Sequence, residues 1–102
     1  MKLSKAQERD LNRAKEKIDK ARKYSNFDDY YINELNGTVN DRSYDFHKKS
    51  WENAINGIVI LHHSTKPTLL KLETLGLIKI LNFDNWRNGN VGVLDTIQVL
   101  NY

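Results

Sequence analysis

Apolar residues recur along the first quarter of the chain at three- and four-residue steps: Leu11, Ala14, Ile18 and Ala21. That spacing draws one narrow apolar stripe along a helix whose other faces are charged. Ser4-Lys5-Ala6-Gln7 reads as a capping box, so the pattern predicts a helix over about residues 4–24. Glu16/Lys20 and Asp19/Lys23 add supportive pairs one turn apart. Asn26 suits the cap of a second, short helix, with Asp28 and Asp29 favourable in its first turn and Gly37, after Asn36, as its stop. Phe27, Tyr31 and Leu35 form its expected buried side. After the connector "TVNDRS", Ser43 or Asn40 caps a third helix that runs to about Asn56, with Tyr44, Trp51 and Ile55 turned inward.

The periodicity then shifts. "GIVIL" reads either as a continuation of the third helix or as a short buried strand over Ile58–Leu61. Its β-branched content and Gly57 favour the strand. Thr65 or Ser64 caps the next helix, Pro67 suits its first turn, Leu69, Leu72 and Leu75 face inward, and Gly76 ends it. Leu77 to Phe83 reads as a strand, Asn88-Gly89 as a tight turn, and Val91 to Leu100 as the returning strand, alternating through Val91, Val93, Ile97 and Val99. The expected fold is α+β in a single domain over residues 1–102: three N-terminal helices (1–56) followed by a winged-helix-like strand–helix–β-hairpin unit (57–102). A helix-turn-helix is poorly formed in this pattern, since Ile58 and His62 stand where a small residue and a glycine are usual.

Composition changes the picture little, but charge changes it a good deal. With 39% hydrophobic and 28% charged residues, the 102-residue chain suits one small globular domain. It has no cysteine, which excludes disulfides and thiolate zinc sites. Neither a signal peptide nor a membrane span is evident, so the expected setting is the cytoplasm of a cell, with no membrane partner. The net charge of +3 is unevenly spread. Residues 1–24 carry nine Lys/Arg against four Asp/Glu, residues 25–50 three against five, and residues 51–102 four against four. Basicity therefore belongs to the first helix and not to the winged-helix-like half.

Catalytic chemistry finds little support. His47, His62 and His63 are the only histidines, and the adjacent pair point in different directions on any regular element. There is no HExxH, no nucleophile elbow and no phosphate-cradling glycine loop followed by a helix. His47 with Asp45 is the best metal candidate, and a weak one. The reading is a non-enzyme with no cofactor. Three binding candidates remain. On the first helix, Lys5, Arg9, Arg13, Lys20 and Lys23 share a face opposite the apolar stripe, with Glu16 among them, and could follow phosphates or an acidic protein surface. In the winged-helix-like unit, Thr65, Lys66, Thr68 and Lys71 would lie at the base-reading end of a recognition helix, with Trp86 and Arg87 at the wing tip. In the second helix, Tyr30 beside Asp28, Asp29 and Glu34 suggests an acidic, aromatic protein-docking surface.

"MKLSKAQERDLNRAKEKIDKAR", "NGIVILHHSTKPTLLKLETLGLIKIL" and "LDTIQVLNY" resemble small proteins encoded by phages and prophages of Gram-positive bacteria. The resemblance covers the two ends and leaves residues 25–55 unmatched. It implies a protein of the bacterial host's cytoplasm that acts by binding, either as an anti-CRISPR-type inhibitor or as a transcription regulator. On that footing the expected partner is a host nucleic-acid-handling effector, such as a CRISPR nuclease complex. Direct contact with nucleic acid is the alternative, through a winged-helix DNA-binding regulator.

Overall fold

Helix α1 (Lys5–Arg22) starts at a reciprocal cap. The Gln7 amide donates to Ser4 Oγ at 3.2 Å and the Ser4 amide donates to Gln7 Oε1 at 2.9 Å, which satisfies two amides that the first turn would otherwise leave open. The stripe behaves as its spacing predicts: Ala14, Ile18 and Ala21 are fully buried and Leu11 nearly so. A computed structural model of the chain describes residues 2–38, 41–61, 64–82 and 95–102. Along it follow α2 (Phe27–Leu35), α3 (Tyr44–Ile55), β1 (Ile58–Leu61), α4 (Lys66–Thr74), β2 (Ile78–Asn82) and β3 (Asp95–Val99). The fold is α+β, with four helices and a small three-stranded antiparallel sheet among the described residues.

Each break between elements has a local cause. Asn26 caps α2 by accepting the Asp29 amide at 2.9 Å. The end of α2 differs from expectation. Asn36, not Gly37, takes the left-handed conformation (φ 52°). Gly37 serves a different purpose there, because a Cβ on it would collide with the Tyr31 ring. Leu35, expected on the buried side, is 40% exposed as the last residue of this nine-residue helix. Gly57 ends α3 with φ 82°, and the chain turns directly into β1. "GIVIL" is therefore a strand and not a helix extension. Pro67 sits in the first turn of α4, and Gly76 (φ 77°) releases the chain into β2.

The strand order is β1-β3-β2, so β3 returns between the other two. The register pairs Val59 with Ile97 and Ile78 with Val99, with a shift between Ile80 and Asn82. Alternation turns Val59, Leu61, Ile78, Ile97 and Val99 to one face, where all are buried. That face lies against the stripe of α1, with Ala54 of α3 and Leu69 and Leu72 of α4 completing a single core. The opposite face carries Ile58, Ile60, Lys79, Thr96 and Gln98. The expected strand at Val91–Leu100 is seen from Asp95 to Val99. Its first residues and the Asn88-Gly89 turn lie outside the described residues.

Gly57 and Gly76 permit a comparison. Both have positive φ, but only at Gly57 would a Cβ meet a neighbour, the Val99 carbonyl at 3.2 Å. Each change to Ala should cost about 1–2 kcal/mol for the left-handed backbone. Gly57→Ala should cost more than Gly76→Ala, read as the larger drop in urea midpoint at unchanged slope.

Candidate functional site

The capping box fixes where α1 begins and the buried stripe fixes its roll, so its outer face is set by the core. Lys5, Arg9, Arg13, Glu16, Lys20 and Lys23 are all exposed on it. The row is about 27 Å long at about 1.5 Å per residue. One ion pair is formed here among the described residues, between Arg9 Nε and Asp10 Oδ1 at 3.4 Å. Lys23 places its ammonium 5.8 Å from the centre of the Tyr24 ring, a cation–π contact. The remaining positive charge faces outward.

Asp10 is the feature that sequence reasoning missed on this helix. It is 1% exposed, and its Oδ2 has no hydrogen-bond partner among the described residues. The signal was present in the spacing: Asp10 lies four residues before Ala14 and so on the same line as the stripe.

Arg22, also unmarked in the sequence, ties three distant parts together. Its guanidinium donates to the Ile55 carbonyl from Nε (3.1 Å) and Nη2 (3.0 Å), and to the Tyr102 carbonyl from Nη2 (3.0 Å). The first pair satisfies an open carbonyl at the end of α3. Tyr102 answers by donating its hydroxyl to Asp19 Oδ1 at 2.6 Å, and Lys15 stands 5.1 Å from the centre of its ring.

The acidic, aromatic segment forms a second group of contacts. Tyr31 is buried and Tyr30, the docking candidate, is half-buried. Phe27 packs at 5.1 Å against Tyr31, 5.0 Å against Tyr44 and 5.9 Å against Trp51, while Tyr30 lies 5.9 Å from Tyr24 and 6.4 Å from Trp51. The carboxylates are engaged within the chain. Tyr44 donates to Asp28, Tyr24 donates to Glu34 at 2.7 Å, and Asn26 donates to Asp29 at 3.1 Å. Asp41 gathers the Thr38 amide and hydroxyl together with the Tyr31 hydroxyl. This group straps α2 to its neighbours, while Asp28, Asp29, Ile32 and Leu35 stay exposed. His47, the metal candidate, lies 5.6 Å from Tyr31 in the same cluster. No three metal-ligating side chains converge among the described residues.

In α4, Thr65, Lys66 and Lys71 are exposed and Thr68 is half-buried, with Thr65 and Thr68 hydroxyls 2.8 Å apart. β1 stands immediately before this helix, where a helix-turn-helix would need another helix. Trp86 and Arg87, the wing-tip candidates, and His62 and His63 lie outside the described residues. A groove of about 390 Å³ opens where α1, α2 and α3 approach β1. Among the described residues no helix is long and apolar enough to cross a membrane. The chain matches no protein-family model, no curated protein and no solved structure.

The tyrosine–carboxylate bonds set a pH dependence. The Tyr24, Tyr44 and Tyr102 hydroxyls are raised above the ordinary value, first because each donates to a carboxylate (Glu34, Asp28 and Asp19). A raised folded-state value contributes stability that is complete below about pH 10 and is lost as pH rises through the higher value. Asp41 is held below the ordinary range, chiefly by the Thr38 amide, then by the Thr38 and Tyr31 hydroxyls. Its contribution is present above about pH 4 and is lost as pH falls through the lowered value. Urea midpoints should therefore fall at both extremes. Asp41→Asn should flatten the acid limb, and Tyr24→Phe with Tyr44→Phe the alkaline one.

Proposed function

We propose that the protein works by binding, without catalysis, and that the outer face of α1 docks onto a host nucleic-acid-handling protein. The observation that carries this reading is the row Lys5, Arg9, Arg13, Lys20 and Lys23, exposed on a helix whose other side is locked into the core. A fixed row of cations about 27 Å long suits an acidic surface or a groove that normally holds nucleic acid. The phage-like character of the two chain ends makes an anti-CRISPR-type inhibitor the specific form of this proposal, with a CRISPR nuclease complex as the partner class.

The second reading is a winged-helix DNA-binding regulator that uses Thr65, Lys66, Thr68 and Lys71, with Trp86 and Arg87 at the wing. The exposure of Thr65, Lys66 and Lys71 favours it. The position of β1 ahead of α4 and the neutral charge of residues 51–102 weigh against it, because phosphate neutralisation dominates DNA affinity.

A pull-down from nuclease-treated bacterial host lysate separates the two. An inhibitor retains a specific host protein, and Lys5→Glu with Arg9→Glu and Arg13→Glu should cut capture by about tenfold or more by reversing three charges. A regulator instead binds purified duplex DNA, loses that binding on Lys66→Ala with Lys71→Ala, and shows an affinity falling by about 0.9 log units per phosphate contact per log unit of salt. Unchanged capture by the charge-reversed protein would sink the α1 reading.

A further inference from the structure

The two outer edges of the sheet are treated differently. In β2, the Leu100 amide donates to the Leu77 carbonyl, so the alternation of an antiparallel ladder turns the backbone groups of Ile78 and Ile80 away from β3. Glu73 of α4 meets one of them, accepting the Ile80 amide at 2.7 Å. In β1, the Val99 amide donates to the Gly57 carbonyl at 2.8 Å. Counting along the register, Val59 and Leu61 bond to β3, while the amides and carbonyls of Ile58 and Ile60 point outward. Among the described residues nothing hydrogen-bonds these four groups.

These groups do not lie on an open surface. Ile58 and Ile60 form one side of the 390 Å³ groove, Tyr30, Glu34 and Leu35 of α2 line another, and Lys17 and Lys20 of α1 also line it; the Glu34 carboxylate already accepts the Tyr24 hydroxyl at 2.7 Å. A volume of this order lies within the usual range of ligand sites, about 300–1,000 Å³. Ile58, Ile60 and Tyr30 are only half-buried, and Leu35 is one of the exposed large apolar residues. Neither Lys17 nor Lys20 has an ion-pair partner among the described residues. Burial against the groove holds the Lys17 ammonium below its ordinary pKa, a penalty that a neighbouring carboxylate would offset.

We propose that this groove takes an extended segment of a partner protein, which adds as a strand to β1, rests alternate apolar side chains on Ile58, Ile60, Tyr30 and Leu35, and sets an acidic residue against Lys17 and Lys20. Unpaired backbone donors and acceptors on a strand edge select an extended chain, because a helix has already satisfied its own. The apolar walls select the alternating pattern, and the unpaired ammonium groups select the acid. The surface is separate from Lys5, Arg9 and Arg13 and shares only Lys20 with the row on α1, so it does not rest on the docking role proposed for that row.

Selection of a random library of peptides about twelve residues long against the full chain tests this. The expected winners alternate apolar residues and carry Asp or Glu. They should slow amide exchange at Ile58 and Ile60, whose amides bond to nothing among the described residues, and leave the already bonded Val59 unchanged. Lys17→Glu should weaken them by about tenfold while leaving the urea midpoint in place. An empty selection, or winners that leave Ile58 and Ile60 exchanging freely, overturns the proposal. Protection of those amides that grows with chain concentration in the absence of peptide also overturns it, by giving the edge to a second copy of the chain.

Discussion

The burial of one narrow stripe on α1 is the constraint from which the rest of the structure follows. Leu11, Ala14, Ile18 and Ala21 are the floor on which the sheet, α3 and α4 all rest. Two of the four are alanines, which add little apolar area but permit close approach. Trp51 uses that closeness to donate its indole N–H to the Ala21 carbonyl at 2.9 Å. A bulkier residue at either alanine would push a whole element outward, because a close-packed interior has no slack to absorb it. The same burial fixes the roll of α1 and therefore aims its cations. The outward charge of the helix and the apolar core beneath it are two aspects of one orientation.

Around that core the chain is held by polar ties of one repeated kind, a tyrosine hydroxyl donating to a carboxylate. Tyr24 to Glu34, Tyr31 to Asp41, Tyr44 to Asp28 and Tyr102 to Asp19 each join separate segments. The rings of Tyr24, Tyr31 and Tyr44 add apolar area to the aromatic cluster while their hydroxyls reach the carboxylates, so each serves packing and attachment together. Asp10 is the exception. It is buried beside the stripe, with Oδ1 on Arg9 and Oδ2 without a hydrogen-bond partner among the described residues.

Much of this was legible in the sequence wherever the cause is local. The capping box, the stripe of α1, the β-branched content of β1 and the alternation in β3 all act within a few residues, and each element stands where its pattern puts it. What escaped was nonlocal. Nothing near Arg22 in sequence reveals that it will grip the Ile55 and Tyr102 carbonyls, since those partners lie 33 and 80 residues away. Tyr30 and Tyr31 are alike by composition, and only the arrival of Phe27, Tyr44 and Trp51 buries both rings to different depths. Gly37 does stand at the helix stop, its amide closing on the Tyr31 carbonyl, but the ring packed above it is a second demand that no local pattern shows. The basic row of α1 could be listed from the sequence, but not that Arg9 alone of it would form an ion pair among the described residues, with the buried Asp10. The groove beside β1 was invisible, because three helices and a strand form it and no motif marks it.

The unequal treatment of the sheet edges biases where a further strand could join. A sheet with two open edges can recruit strands on both sides and grow into a filament. Here Glu73 occupies the Ile80 amide, and the register shift between Ile80 and Asn82 disrupts any straight template along β2. The Ile78 groups and the Ile80 carbonyl still point outward on β2, so its edge is interrupted and not closed, whereas β1 offers an even row. An incoming strand is thereby biased to one side of the sheet, which works against growth in both directions at once.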